Sequence, residues 1–229
     1  MQNSFNTAAP GPTREQLGHE LLAELCKPDM GAADCDFARC LRLIAEGASL
    51  DARTIGEEKF DGGDTPLHQA VRLFEKDAAF NKIVLALIDH GADLEARDNA
   101  GNTPLMCAAV YGNQAAAELL IDRGAKLDER NGMGYTALIW AGYWGKKDIA
   151  TMLIRRGAKT DVEDFGGHTA ADWADKNKNF GNGETLDAIK ETTQSVADER
   201  RRFEIWRDQN GMPLEKPVTV SRPLALRRK

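Results

Sequence analysis

One short phrase recurs four times along this chain. It begins at Leu43 as LIAEGA, at Leu87 as LIDHGA, at Leu120 as LIDRGA and at Leu153 as LIRRGA. The last three copies start 33 residues apart, and the first precedes the second by 44. A period of this length predicts stacked copies of one helical unit, because so short a unit cannot bury its apolar face alone.

Each copy of the phrase has the pattern of a helix end. Apolar residues upstream recur three and four positions apart, as at Ala116, Leu119 and Leu120, which is the spacing of one helical face. The glycine of the phrase suits the left-handed backbone with which many helices end. We therefore expect an amphipathic helix to finish at each copy.

A second phrase predicts another helix upstream of each such end. It reads GDTPLHQAV, GNTPLMCAA, GYTALIWAG and GHTAADWAD. Its threonine suits a helix N-cap and its proline suits the first helical position, and the four threonines are Thr65, Thr103, Thr136 and Thr169. Polar, glycine-bearing stretches such as KLDERNGMGY precede this phrase and suit a projecting β-turn finger.

Together, the two phrases and their period resemble the ankyrin repeat, whose unit reads finger, T-P-L-H-x-A-A helix, second helix and Gly-Ala. The resemblance covers about residues 15–190. It implies an all-α solenoid of about five stacked helix pairs with β-turn fingers, in which the first and last pairs are degenerate. We expect a flexible N-terminus at 1–14, and a C-terminal helix with a basic tail at 191–229.

The chain departs from the family pattern at several positions. Only His68 stands where the family has its histidine, and Met106, Ile139 and Asp172 replace it in the later units. We therefore expect the family's polar network around this position in the second unit alone, with apolar packing in the third and fourth. The second unit also has an enlarged finger and a longer helix region, and both a second binding loop and a harmless insertion remain open there.

Composition predicts a folded cytoplasmic protein with no membrane segment. No apolar run reaches the ~18 residues that a membrane-spanning helix needs, and the start MQNSFNTAAPGPTREQ lacks the basic and apolar segments of a secretory signal. The four cysteines form no C-x-x-C pair and have apolar, helical neighbours, so we expect free thiols at Cys26, Cys35, Cys40 and Cys107.

No catalytic motif is present in the sequence. The chain has no HExxH, no phosphate loop and no GxSxG, and no two of its four histidines have the spacing of metal ligands. The Asp and His residues of GGHTAADWAD are explained more simply by a finger followed by a capped helix. We therefore expect no catalytic residue, no cofactor and no metal, and predict that the protein is not an enzyme.

The resemblance implies that a partner docks in a concave groove formed by the fingers and the first helix of each unit. Transferring the family's outward positions to this sequence predicts eight partner-binding residues: Val110, Tyr111, Met133, Tyr135, Tyr143, Trp144, Phe165 and His168. Exposed aromatic rings are common anchors of protein interfaces. The alternative is that some of these rings pack between neighbouring units, as we expect for Trp140 and Trp173.

These features predict a protein–protein interaction module, acting as an adaptor or as an inhibitor or immunity-type regulator, and monomeric when free. The rival is a nucleic-acid-associated regulator that uses the C-terminal tail. Residues 200–229 hold nine Lys and Arg against three Asp and Glu, whereas the whole chain has a net charge of -6. Binding of nucleic acid is the weaker hypothesis, because the remaining acidic body repels phosphate.

Overall fold

The computed structural model describes residues 11–26, 36–54, 62–72, 78–177 and 182–209. Within these ranges the chain forms ten helices and no strand. The helices are α1 (Arg14–Leu25), α2 (Phe37–Ala45), α3 (Pro66–Arg72), α4 (Ala78–Asp89), α5 (Pro104–Tyr111), α6 (Gln114–Asp122), α7 (Ala137–Tyr143), α8 (Lys147–Arg155), α9 (Ala170–Lys176) and α10 (Gly183–Gln209). Consecutive helices pack as five pairs, units 1 to 5, so the expected all-α repeat fold is confirmed.

The helix ends follow the two recurring phrases. Thr103, Thr136 and Thr169 cap α5, α7 and α9, each accepting a hydrogen bond from the amide three residues later. The glycines that follow α2, α4, α6 and α8 have positive φ angles of 87°, 87°, 96° and 98°. Only glycine adopts this backbone without steric cost, so the phrase recurs because each helix must stop at the same point.

One apolar core runs through all five units. The leucine of each recurring phrase is buried, and Leu87, Leu120 and Leu153 are fully enclosed. First helices pack on first helices, in the order α1, α3, α5, α7, α9, and second helices likewise pack on second helices from α2 to α10. Each fully buried leucine contributes about 1.5–3 kcal/mol, and that burial exists only when the neighbouring unit is in place.

Outside the core, equivalent residues of successive units bond to each other. Arg123 pairs with Asp89 and Arg156 with Asp122, between the ends of the second helices. The Glu95 carboxylate also accepts the amide of Lys126 at 2.8 Å. Exposed ion pairs of this kind contribute up to about 1 kcal/mol each, so they support the register of the units more than their stability.

His68 lies at the buried contact between units 2 and 3. Its Nδ1 is 2.9 Å from the Thr65 hydroxyl, and its Nε2 is 3.0 Å from the carbonyl oxygen of Asn102. Burial lowers the pKa of His68 to about 4, so the ring is neutral near neutral pH. At the same position of units 3 and 4, Met106 and Ile139 are buried among apolar side chains, as the sequence predicted.

The last helix is longer than the unit requires, as the sequence predicted. Leu186 and Ile189 are buried against the stack, and Val196 packs at its edge. Beyond that point Phe203 is 60% exposed and lies against the ring of Trp206, with 6.0 Å between ring centroids. The final part of α10 thus carries an aromatic pair on the surface.

Several expectations concern segments outside the described residues. These are the N-terminus before Gly11, most of the enlarged finger and extension of unit 2, Cys35 and the basic tail from 210 onward. Of the other cysteines, Cys40 and Cys107 are buried free thiols, and Cys26 is partly exposed. Among the helices of the described ranges, none is long and apolar enough to cross a membrane.

The close packing of α7 on α9 suggests a first test. A Cβ added at Gly142 of α7 would lie 2.3 Å from the carbonyl oxygen of Ala170, at the start of α9. Alanine favours a helix by about 1 kcal/mol over glycine, yet we expect Gly142→Ala to lower the free energy of unfolding by about 1–3 kcal/mol, because units 4 and 5 must move apart. Denaturant titration measures the change.

Gly183→Ala is the matched control, because nothing lies within 4 Å of a Cβ at that position of α10. We expect this control to leave stability unchanged or to raise it slightly. Equal stabilisation by both substitutions would contradict the close packing of α7 on α9.

Burial of His68 predicts a pH dependence. The unfolded chain binds a proton at this histidine below about pH 6.5, whereas the folded chain binds it only near pH 4. The stability that depends on neutral His68 is therefore complete above pH 6.5 and is lost as the pH falls toward 4. The variant His68→Met introduces the residue that unit 3 has at this position. Between pH 7 and pH 5, we expect the free energy of unfolding to fall by about 2 kcal/mol more in the wild type than in this variant.

Denaturant titrations of both proteins at the two pH values measure this difference. Because both proteins share all other titratable groups, the effect of those groups cancels in the comparison. The same loss in the wild type and in His68→Met would show that the histidine is not responsible.

Candidate protein-binding groove

The groove is defined here as the surface formed by the fingers and the first helices α3, α5, α7 and α9. The finger turns that precede α5, α7 and α9 begin with Asp98, Asn131 and Asp164, respectively. The side-chain Oδ1 of each accepts two backbone N–H bonds. In unit 4, for example, Asn131 accepts the amides of Met133 and Tyr135, both at 2.9 Å. Short polar side chains at this position therefore shape the turn itself.

Neighbouring fingers are joined along their edges. The amide of Gly132 donates to the carbonyl oxygen of Ala100 at 3.0 Å, and the amide of Phe165 donates to that of Met133 at 3.2 Å. Arginines reinforce these contacts, since Arg97 donates to the carbonyl of Arg130, which in turn donates to that of Glu163, both at 2.7 Å. The fingers thus hold the groove residues on a fixed backbone.

Ionic groups fill the groove at units 2 and 3. The guanidinium of Arg72 bridges Asp64 at 2.9 Å and Asp98 at 3.0 Å, and both carboxylates are buried. The same guanidinium lies 5.8 Å from the centroid of the Tyr111 ring. Sequence reasoning did not predict this bridge, because it depends on three residues from two units.

At units 4 and 5, two tryptophans face the groove and donate their indole N–H groups to different partners. Trp140 donates to Oδ1 of Asn102 at 3.1 Å, and this oxygen also accepts the side-chain amide of Asn131. Trp173 donates to Oδ2 of Asp164 at 2.8 Å. An indole N–H taken out of water needs such an acceptor, which the preceding unit supplies to Trp140 and the same unit supplies to Trp173.

The aromatic cluster is defined as Tyr135, Trp140, Tyr143, Trp144 and Trp173. Tyr143 is its centre, with ring centroids 5.2 Å from Trp144, 5.1 Å from Trp173 and 5.8 Å from Trp140. Tyr135 completes it, 4.8 Å from Trp140 and 5.8 Å from Trp173. The edge-on and tilted geometries are those that aromatic pairs prefer, so the rings hold each other in place.

Several of the predicted partner-binding residues lie in the aromatic cluster or beside it. Tyr135, Tyr143 and Trp144 lie within the cluster, and His168 adjoins it, 5.3 Å from Trp173. Tyr111 and Met133 are exposed, Trp144 is 50% exposed and Phe165 is 72% exposed. Val110 is half-buried. Phe165 lies against Arg130 and Tyr111 against Arg72, so these two rings stand outside the cluster.

The expectation that Trp140 and Trp173 pack between the units is only part of their role. Both are half-buried and pack against the core, but their rings also form the floor of the aromatic cluster. Each follows its capping threonine by four residues, at the position that Gln69 and Cys107 occupy in units 2 and 3. Aligning the repeats by their capping threonines would have predicted that both tryptophans lie on the groove.

The described residues offer little for catalysis. No cluster of His, Cys, Asp and Glu within them could hold a metal ion. Burial raises the pKa of the Cys107 thiol to about 12, so this thiol stays protonated and is a poor nucleophile. A cavity of about 460 Å³ between α1 and α3 is lined by Leu22, Cys26, Arg53 and Arg72 among others. Arg53 donates to the carbonyl oxygen of Gly63, and Arg72 pairs with Asp64.

Comparison with known proteins agrees with the fold. A family model described as ankyrin repeats in three copies matches residues 76–164. The chain is also similar to neurogenic locus notch homolog protein 2 of Homo sapiens and of Mus musculus, with 34% identity over 98 residues in each case. These alignments cover 43% of this chain and 4% of each relative. Residues 76–164 of the chain are therefore ankyrin repeats.

The hydrogen bonds of Asp164 suggest a test of the groove floor. Burial alone raises the pKa of this carboxyl, but N–H bonds from His168, Trp173 and Gly166 lower it below its ordinary value. In Asp164→Asn, an amide N–H would face the indole N–H of Trp173. We expect a loss of about 1–3 kcal/mol in the free energy of unfolding, because one donor is left unpaired.

Denaturant titration measures this loss, with exposed Asp161→Asn as the control that removes the same charge from the surface. We expect the control to stay within about 0.5 kcal/mol of the wild type. Equal effects of the two variants would mean that the indole bond contributes nothing.

Proposed function

We propose that this protein binds another protein through the groove and is not itself an enzyme. Ankyrin repeats generally mediate protein–protein interaction. The observation that carries the proposal is the aromatic cluster, which presents Trp144 half-exposed beside Tyr143 at the end of α7, where the side chain of Asn177 donates to the carbonyl oxygen of Tyr143. Rigid aromatic side chains with polar surroundings are the usual anchors of protein interfaces, since they bury a large area and lose little conformational entropy.

Two roles make use of such a surface. An adaptor holds its partner beside another component, whereas an inhibitor or immunity-type regulator covers the partner's working surface. The groove supports either role, because both require only that the partner be bound. The activity of the bound partner separates them, since an inhibitor abolishes it and an adaptor leaves it intact.

The nucleic-acid hypothesis receives less support. Its basic tail lies outside the described residues from 210 onward. Within the described part of the chain, the candidate surface carries aromatic rings, neutral amides and buried ion pairs, and its finger arginines already donate to backbone carbonyl oxygens. A nucleic-acid-binding surface needs an extended row of cations that contact phosphates.

The proposal predicts that removing exposed groove rings weakens binding without unfolding the protein. In a double variant, Trp144→Ala and Phe165→Ala, we expect binding of the captured partner to fall about thirtyfold or more, because loss of one anchor commonly costs about 2 kcal/mol. Partner proteins are captured from the source cell on the wild type, and the affinity of the purified partner is then measured for each variant. Circular dichroism and thermal melting check the fold.

The aromatic pair of α10 provides the matched control, as Phe203→Ala and Trp206→Ala. This pair is also exposed, but it lies on the long C-terminal helix instead of the groove. We expect the control to bind like the wild type. Loss of binding in the α10 variant with full binding in the groove variant would move the interface to α10 and reject the groove.

A further inference from the structure

We propose that the partner segment recognised by the groove is acidic, with a large apolar side chain flanked by aspartate or glutamate. This inference rests on the proposed protein-binding function and adds the chemical class of the partner. The apolar side chain would pack on the aromatic cluster beside Trp144. The carboxylates would lie toward the two cations that border the cluster in units 4 and 5.

These cations are Arg130 and Lys176. The guanidinium of Arg130 lies 4.9 Å from the centroid of the Phe165 ring, and the ammonium of Lys176 lies 4.9 Å from that of Trp173. Tyr135 connects the two sides, because it follows Gly134, whose carbonyl oxygen accepts a hydrogen bond from Arg130, and its ring is 5.8 Å from Trp173. One surface thus presents aromatic rings with a cation at each side.

Neither cation forms a direct ion pair within the described residues. Arg130 donates to the carbonyl oxygens of Gly134 and Glu163, which carry no formal charge. Lys176 lies against the Trp173 ring and has only a longer-range electrostatic interaction with Asp172. Four other arginines at the contacts between units have acidic partners, whereas Arg53 also donates to carbonyl oxygens; the acidic partners are Asp64 and Asp98 for Arg72, Glu129 for Arg97, Asp89 for Arg123 and Asp122 for Arg156.

The rings themselves favour the same partner charge. The face of an aromatic ring attracts cations and its edge carries partial positive charge. Because Arg130 and Lys176 already cover one face of Phe165 and of Trp173, a cationic partner would meet repulsion there. A carboxylate at this surface would contact a cation and the partly positive edges of the rings. Electrostatic complementarity of this kind selects partners at interfaces.

The acidic groups near this surface are committed to the protein. Asp164 is buried and accepts N–H bonds from the finger and from Trp173. Asp172 accepts both the amide and the hydroxyl of Thr169, which completes the cap of α9. Asp175 also has an interaction within the protein. The hydrogen bonds from Thr169 lower the pKa of the Asp172 carboxyl, and the charge of Lys176 lowers it further. Lys176 nevertheless stays exposed and forms no direct ion pair within the described residues, so its charge is accessible to a partner.

The other end of the groove has the opposite character. There the guanidinium of Arg72 serves two buried carboxylates, Asp64 and Asp98, so it has no surplus positive charge for a second anion. Arg53 donates to carbonyl oxygens at this end, but the aromatic cluster lies in units 4 and 5. The acidic residues of the partner are therefore assigned to units 4 and 5, where cations and aromatic rings occur together.

A random-peptide display library tests the inference on the full-length protein. Peptides are selected on the wild type and sequenced, and the affinity of a selected synthetic peptide is measured by fluorescence anisotropy. We expect enrichment of sequences with one large apolar residue beside Asp or Glu. Lys176→Glu should weaken their binding about tenfold, because an attraction becomes a repulsion.

Lys190→Glu is the matched control, since this exposed residue of α10 makes the same change in net charge outside the groove. It should bind the peptide like the wild type, and thermal melting shows that both variants fold. Added salt should weaken the wild-type complex more than the Lys176→Glu complex, because the salt screens only an attraction that is present.

The outcomes separate the two proposals. Selected peptides that need Trp144 and Phe165 but carry basic residues, or that bind Lys176→Glu as well as the wild type, overturn the acidic partner and leave the groove as the interface. Peptides that bind the Trp144→Ala, Phe165→Ala variant undiminished overturn the groove itself. A selection that yields no groove-dependent peptide rejects both.

Discussion

Each unit of this protein leaves apolar helix faces that only the next unit covers. Leu87, Leu120 and Leu153 reach full burial because α4, α6, α8 and α10 lie side by side, and no helix pair encloses its leucine alone. Stability is therefore a property of the contacts between units. This dependence on neighbours explains why a 33-residue period is kept so closely in units 3 and 4, where a shift in register would expose two faces at once.

The same register arranges polar groups in rows along the stack. The backbone of each finger meets the backbone of the next, and equivalent arginines reach equivalent carbonyl oxygens. Because the rows are fixed, a change of residue type along a row changes the chemistry of the groove and leaves the fold intact. The residue four positions after the capping threonine changes from Gln69 and Cys107 to Trp140 and Trp173, so the groove becomes aromatic toward units 4 and 5.

The groove thus combines a rigid support with an uneven surface. Arg72 and its two carboxylates fill one end, and the aromatic cluster with Arg130 and Lys176 borders the other. A surface of this kind selects a partner by charge as well as by shape. The exposed part of α10 is a separate feature, whose aromatic pair lies beyond the last packed turn and takes no part in the groove.

The sequence by itself determined the fold. The recurring glycines fix where helices end and the threonines fix where they begin, and these local requirements depend on the backbone of a few residues, so they are readable from the chain alone. The outward positions of Trp144 and Phe165 were also predictable, because the same positions are exposed in successive units. His68 was recognised as the polar contact of unit 2 because it matched the motif.

Only the tertiary structure decided which side chains of different units meet. Arg72 lies between Asp64 and Asp98, and Trp140 reaches Asn102 of the preceding unit while Trp173 bonds within its own unit. Such pairings depend on the distance and rotation between units, which no local pattern encodes. The charge of the groove surface is therefore a tertiary property: from the sequence alone Lys176 is only a surface residue, and its contact with Trp173 places it beside the aromatic cluster.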